Sequence, residues 1–469
     1  MRCSFKIFIA IVCITVITAG SLSSCASSSN EPITNCELWV LTVNTGSEYL
    51  IEEISERFQE EHPGVTVRID TGPDTAEEWE QYLEQLQIQI MAGHGPDVIL
   101  NLSENISTPT YITDVNQFMR NGLCLDLTAY YEQDTELDKA GLVSSVMDAG
   151  VVDGARYVLP LRYNIPVIYA DVQQLEAVGL RADDLQNGLS SLAEVAPILD
   201  AGAIASDYGD WFFNLYWMNC LSKLIDYDAQ KVALDRAELI GFLDDYRKLT
   251  FYGIDTVYVP ALGSYIRDNN SFWALNGNCI FLGTLDNLAQ NLRIAKAAGI
   301  DLAVLPLTAS DGSVIANVSY YGAIGANTNN PDLAYEFLRE FLLEENQWEN
   351  NLGKSLSTLI DCGWPVLTKN SWSDLDADLL RMLSDETVTD SLARERKARI
   401  RSVELVEEDF SILNTEFEDV RFFPATQWNY MMEIERQLNI KTNPDAMTVD
   451  INALAEEILQ ELTWDLAEG

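Results

Sequence analysis

The chain has 469 residues, 47% hydrophobic and 10% aromatic, with 73 acidic side chains against 29 basic ones. That much apolar material excludes an intrinsically disordered chain and is enough to build two cores. A formal net charge of −44 repels nucleic acid and anionic lipid head groups, which argues against both as partners of the folded surface.

Arg2 and Lys6 precede a 13-residue apolar run from Ile7 to Ala19, and small residues then lead through Leu22-Ser23-Ser24 into Cys25. The run is short for a bilayer span, which needs about 20 apolar residues, and its flanks are those of a secretory signal. Leu-Ser-Ser-Cys resembles the lipobox of bacterial lipoproteins. That resemblance implies a signal peptide over 1–24, lipidation of the Cys25 thiol and a membrane anchor on the extracytoplasmic face. The alternative is an ordinary cleaved signal in which Cys25 is incidental; either way the protein is expected outside the cytoplasm. Residues 25–36, with Ala26-Ser-Ser-Ser-Asn-Glu-Pro32, read as a flexible polar tether.

Five cysteines remain beyond that point: Cys36, Cys124, Cys220, Cys279 and Cys362. Their number is odd, their spacings are long and no CxxC pair occurs, so neither a zinc knuckle nor a redox motif is supported. They read as mostly buried small hydrophobes, with their pairing left open.

Past the tether, Glu37-Leu-Trp-Val-Leu-Thr-Val43 is a β-rich run of the kind buried in a parallel sheet, and Ile51, Ile54 and Phe58 then recur at helical spacing. His62-Pro63-Gly64 stops that helix. Val65, Val67 and Ile69 alternate as a second strand. Trp79, Leu83, Leu86 and Ile90 mark a second helical face, and Gly95-Pro-Asp-Val-Ile-Leu100 opens a third strand. This strand-helix alternation predicts a doubly wound α/β opening, whose ligands meet the crevice beyond the carboxyl ends of the strands. Asn44-Thr45-Gly46-Ser47 and the stretch from Asn101 to Asn105 are polar and follow strands directly. Thr45 or Ser47 equally serves as a cap for the next helix, and a helix N-terminus offers free amides as well.

Several segments resemble, in order, the extracellular solute-binding proteins of carbohydrate ABC importers, the maltose-binding type. They begin with Phe58-Gln-Glu-Glu-His-Pro-Gly-Val-Thr-Val67 and Met91-Ala-Gly-His-Gly-Pro-Asp-Val-Ile99. Gly122-Leu-Cys-Leu-Asp-Leu127 resembles the family's G-x-L-x-D-L step, and Asp153-Gly154 with Tyr157-Val-Leu-Pro160 its crossover into a second lobe. Ile168-Tyr169-Ala-Asp171, Phe272 through Gly283, Leu305-Pro306, the helix opened by Asn330-Pro331 and Gly363-Trp-Pro-Val366 follow in family order. The order, rather than any single motif, carries the resemblance, which runs from about residue 37 to the C-terminus.

The resemblance implies an α/β, two-lobed periplasmic-binding-protein fold of type II, each lobe a sheet flanked by helices, joined by hinge strands. The expected N-terminal lobe is 37–160 with 306–350 and the C-terminal lobe 161–305 with 351–469, with crossings near Leu159 to Arg162 and Leu305 to Pro306. It implies a monomer without catalysis or cofactor that closes on a small ligand, a sugar or oligosaccharide, and delivers it to ABC permease subunits. Aromatic rings stack on a saccharide's C–H faces while carboxylates, amides and arginines take its hydroxyls. Carried onto matching positions, the implied contacts are Thr45, Gly46, Asn101, Glu104, Tyr163, Asn164, Asp210, Trp211, Tyr320, Tyr321, Trp364 and Trp428. Phe212, Phe213 and Tyr216 are assigned to the core. The family frequently has a tryptophan just after the glycine matched by Gly283, whereas this chain has Thr284-Leu285. That departure leaves room for a monosaccharide, a modified sugar or a non-sugar ligand.

An enzyme is the rival class. His62 and His94 are the only histidines, and no HExxH pair or Gly-x-Ser-x-Gly elbow occurs. Asp374, Asp376 and Asp378 suggest a calcium loop until Leu379, where glycine is required, so no metal is expected. A glycan hydrolase needs only two carboxylates and stays open by counting, as does a surface carbohydrate-capture or adhesion lipoprotein without transport. Arg394-Glu-Arg-Lys-Ala-Arg-Ile-Arg401 is a basic cluster on a very acidic chain, read as a solvated helix that pairs with nearby carboxylates or contacts a transporter.

Overall fold

The computed structural model describes residues 36–42, 48–73, 76–102, 114–200, 202–206, 216–256, 278–285, 288–343, 346–347, 364–367, 380, 391–422 and 428–468. The expected signal peptide over 1–24, Cys25 and the expected tether up to residue 35 lie outside them, as do Cys362 and the aspartates around Asp376, whereas Cys36 opens the first strand.

The opening follows the period of the sequence. Strand β1 (Cys36–Thr42) leads to helix α1 (Glu48–Glu61), strand β2 (Val65–Asp70), helix α2 (Ala76–Met91) and strand β3 (Val98–Leu102). Both β2 and β3 pair parallel to β1, one on each side, as a doubly wound sheet requires. Ile51, Ile54 and Phe58 of α1 are no more than 2% exposed, and each contributes roughly 1.5–3 kcal/mol through burial. Phe58 stacks on His62 at 4.1 Å and meets Phe337 edge-on at 5.2 Å, which pins the end of α1. The chain then turns at Gly64, whose φ of 100° suits glycine.

A short helix α3 (Val115–Arg120) follows, and strand β4 (Val158–Asn164) completes the chain's first stay in this sheet. Ile165 alone separates β4 from β5 (Pro166–Asp171), which belongs to a second sheet, so the first crossing lies just beyond the expected Leu159 to Arg162. The second unit takes in helix α4 (Gly188–Val195), strand β6 (Ile204–Ser206), a hairpin of β7 (Ile225–Asp226) with β8 (Lys231–Val232), and helix α5 (Arg236–Tyr252). Strand β9 (Asp255–Thr256), strand β10 (Ile280–Thr284), helix α6 (Leu288–Ala298) and strand β11 (Leu302–Pro306) complete it. Its five strands run β9-β6-β10-β5-β11, with β5 antiparallel to both neighbours. The chain returns after Pro306 to β12 (Ile315–Ile324), which enters the first sheet antiparallel to β3 and β4. All ten residues of β12 are buried, and helix α7 (Pro331–Glu340) packs over it so closely that a Cβ on Gly322 would stand 2.2 Å from Leu338 Cδ1.

Two late strands change the expected division. β13 (Trp364–Pro365) pairs with β4, and β14 (Asp419–Phe422) pairs parallel to the start of β12, making the first sheet seven-stranded. The span 351–469 therefore does not all belong to the C-terminal lobe. Helix α8 (Ser391–Arg401) packs on α6, while α9 (Trp428–Leu438) and α10 (Ile451–Glu468) pack on α5 of the second unit. The physical reason is hydrogen bonding: β3 ends at Leu102, opposite Tyr320, and β14 supplies partners to residues 315–318 of β12 where β3 has stopped.

The second sheet is covered on both faces. Ile168, Ala170, Ile204, Ile280 and Leu282 face a core with α4, α5, α9 and α10, and Val167, Tyr169, Ala205 and Phe281 join the core of the first sheet through α6. Cys124, Cys220 and Cys279 are buried free thiols and Cys36 is partly exposed. Burial raises the pKa of all four, with Cys279 pushed up to about 12, which suits a packing role. Among the described residues no helix is long and apolar enough to cross a membrane, and no cluster of His, Cys, Asp or Glu could hold a metal ion.

Candidate ligand-binding crevice

The boundary between the sheets is marked by a transverse polar row. Asn164 on β4, Asn317 on β12 and Arg421 on β14 are register partners, so their side chains share one face. Each reaches the second unit. Asn164 Oδ1 accepts from the backbone N–H of Ile165 and of Leu285, at 3.0 and 3.1 Å. Asn317 Nδ2 donates to Asn219 Oδ1 at 2.7 Å, and Asn219 Nδ2 donates to the Ile315 carbonyl at 2.7 Å. Arg421 donates to the carbonyls of Met218 (2.6 Å), Leu221 (2.9 Å) and Ser222, with its Nε on Asp419 at 2.8 Å.

Beside this row a crevice of about 200 Å³ opens, with α3 and β14 on one side and residues 218–228 on the other. Asp114 caps α3 by accepting from the N–H groups of Asn116 and Gln117, and its second oxygen accepts the Tyr227 hydroxyl at 2.7 Å. Burial raises the Asp114 pKa against the lowering effect of the Tyr227 hydroxyl and the two amides. The Tyr227 phenol is pushed up by burial and by the neighbouring Asp114 carboxylate, so it stays a donor. Arg120 Cζ sits 5.3 Å from the Tyr227 ring centroid, and Arg120 Nη2 meets Asp228 Oδ1 at 2.8 Å. Lys223 and Asp226 complete the charged rim. An aromatic ring, carboxylates, an amide and guanidinium groups thus converge from both units, the set that binds a polyhydroxylated ligand.

The expected contacts distribute unevenly. Thr45, Gly46, Glu104, Asp210 and Trp211 lie outside the described residues, as do Phe212 and Phe213; Trp428 opens α9, with only its backbone described. Asn101 is half-buried on β3, opposite Tyr321. Tyr163, Asn164, Tyr320, Tyr321 and Trp364 are brought together on the adjacent strands β13, β4 and β12, but at 0–5% exposure they are interior residues. In this arrangement they present no open surface to a ligand. Tyr163 packs on Phe417 and Tyr321 edge-on against Phe422, because both faces of the sheet are covered and rings of this size are the main filling. Tyr216, assigned to the core, is 1% exposed. Where the family frequently has a tryptophan, Leu285 is fully buried and the Thr284 carbonyl accepts the Tyr169 hydroxyl.

Asp114, Arg120, Tyr227 and Arg421 were not singled out from sequence. Asp114 precedes Val115 as a helix cap would, the one local signal available. Tyr227, between Asp226 and Asp228, reads as a solvated hairpin.

The family model for bacterial extracellular solute-binding proteins matches residues 43–348, well over half of the chain. The chain belongs to this family. It is a family of binding proteins, and the two-sheet architecture with an intervening crevice is its fold. A binding protein of Brucella abortus is 23% identical over 161 residues, a match spanning 34% of this chain and 34% of that relative. Among solved structures, the galacto-N-biose-/lacto-N-biose I-binding protein of a Bifidobacterium longum ABC transporter, in complex with lacto-N-biose, aligns with a TM-score of 0.56 at 14% identity, covering 94% of this chain and 99% of that one. The sugar-binding protein MalE of Xanthomonas citri aligns with a TM-score of 0.56 at 15% identity, covering 92% and 98%. A Listeria monocytogenes ABC substrate-binding protein in complex with cycloalternan gives 0.51 at 14% identity, covering 92% and 99%. At these identities the structural likeness is one of fold.

Proposed function

We propose that this solute-binding protein captures a carbohydrate between its two lobes and delivers it to the permease subunits of an ABC importer. The observation that carries the reading is the crevice to which both lobes contribute, with Tyr227, Arg120 and Asn116 offering a ring face, a planar cation and an amide. The sugar ligands of the Bifidobacterium and Listeria proteins support the ligand class. Asn101 on β3, Thr45 and Gly46 after β1, Glu104 after β3, Asp210 and Trp211 after β6, and Trp428 at the start of α9 are the proposed further contacts, the carboxyl ends of such strands being where ligands meet this kind of fold. The filled space at Thr284 and Leu285 favours a ligand smaller than, or different from, a maltose-type oligosaccharide. We place the mature protein as a monomer on the extracytoplasmic face of the membrane, held by lipid on Cys25, with 1–24 as its signal peptide.

The test is a thermal-shift screen of the chain from Ala26 onward against mono- and oligosaccharides, amino acids and polyamines. A ligand present at 100 times its Kd adds about 2.7 kcal/mol to the folded state. A rise in Tm with one sugar class, lost in Trp211→Ala or Trp428→Ala variants that still fold, is the expected outcome. Silence for every sugar beside a response to another class would sink the carbohydrate assignment and leave the family intact.

A further inference from the structure

Residues 218–228 belong to two bodies at once. Their apolar side chains, Met218, Leu221, Leu224 and Ile225, are buried in the core of the second lobe. Their polar groups are engaged by the first lobe: the carbonyls of Met218, Leu221 and Ser222 by Arg421, Asn219 by Asn317, Tyr227 by Asp114 and Asp228 by Arg120. We propose that this segment is a clasp, which holds the lobes together without ligand and sets the balance between closed and open forms.

The contacts differ in strength. The Asp228 side chain is 82% exposed, so its pair with Arg120 is screened and contributes little. Tyr227 donates to a carboxylate of only 9% exposure, where a charged acceptor makes the stronger hydrogen bond. Opening the lobes there lets water reach Asp114 and recover its hydration, which makes this contact releasable. Arg421 is tied to three carbonyls of the second lobe and oriented by Asp419 of its own strand, with its side chain 10% exposed, so it parts last. A ligand bridging the lobes then adds to a balance already biased toward closure, rather than creating it.

The inference rests on the two-lobe closure reading but needs no ligand, so its failure and that of the sugar assignment are told apart. Ligand-free protein is compared with Tyr227→Phe, Arg421→Gln and the double variant by small-angle scattering and by amide hydrogen exchange. Tyr227→Phe removes only a hydroxyl. It should raise the radius of gyration and speed exchange at amides of 115–120 and 225–232 about tenfold, the equivalent of about 1.4 kcal/mol. The double variant should open further. Arg236→Ala, which breaks a pair with Glu456 inside the second lobe, should change neither readout. If Tyr227→Phe folds normally and both readouts match the parent, the clasp is overturned; should Arg421→Gln fail to fold, Tyr227→Phe alone decides.

Discussion

Asp114 performs two tasks with one carboxylate, capping α3 and accepting the Tyr227 hydroxyl, and burial holds its pKa above the usual 3.8. A carboxyl whose folded pKa lies above its unfolded value takes up a proton on folding within that window. Its stabilising contribution is complete below the unfolded pKa and is lost as pH rises through the folded one. Asp114→Asn should therefore flatten the fall in stability on going from about pH 4 toward neutrality, measured as the difference from the parent in denaturant midpoint across pH. A parallel offset at every pH would show that the carboxyl does not titrate in that window. The thiols test burial separately. Of Cys36, Cys124, Cys220 and Cys279, a thiol reagent at pH 8 should label only Cys36 in the native protein, as read by peptide mass after quenching.

At the scale of elements, legibility followed solvent contrast. Helix α1 has one buried face and one wet face, so Ile51, Ile54 and Phe58 announced it, and β1 to β3 were readable as strands between turn signals. Strand β12 is buried at every position, and its interior tyrosines look in sequence like ring donors to a sugar. Nothing local separates a ring stacked on a ligand from one set edge-on against Phe422. The contact between β12 and α7 offers an element-level test: Gly322→Ala forces a methyl onto Leu338 and should cost about 1–3 kcal/mol, seen as a lower Tm with the far-ultraviolet spectrum unchanged. An unchanged Tm would mean that α7 can shift outward freely. The basic run in α8 resolves in part. Ile400 is 2% exposed and faces inward, its carbonyl and that of Val403 accept from Arg293, and Arg394, Arg399 and Arg401 are exposed.

For the whole molecule, the polar row of Asn164, Asn317 and Arg421 ties strands of the first sheet to the second lobe wherever the chain passes between them. Arg421→Ala would strand the carbonyls of Met218, Leu221 and Ser222 without donors and should cost about 2–5 kcal/mol in denaturant unfolding, as for other buried ionic groups with many partners. A cost below about 0.5 kcal/mol, the scale of a surface change, would remove Arg421 as a fastening. Sequence by itself determined the class of fold, the strand-helix alternation and the family, because these rest on local period and on motif order. Tertiary structure alone decided that β13 and β14 return to the first sheet, that the paired tyrosines are interior, and that Arg120, Tyr227 and Arg421 meet at one crevice, with Asp114 behind Tyr227. Tyr227 reaches Asp114 across 113 positions and Arg421 reaches Met218 across 203, and no periodicity reports a hydrogen bond over such distances.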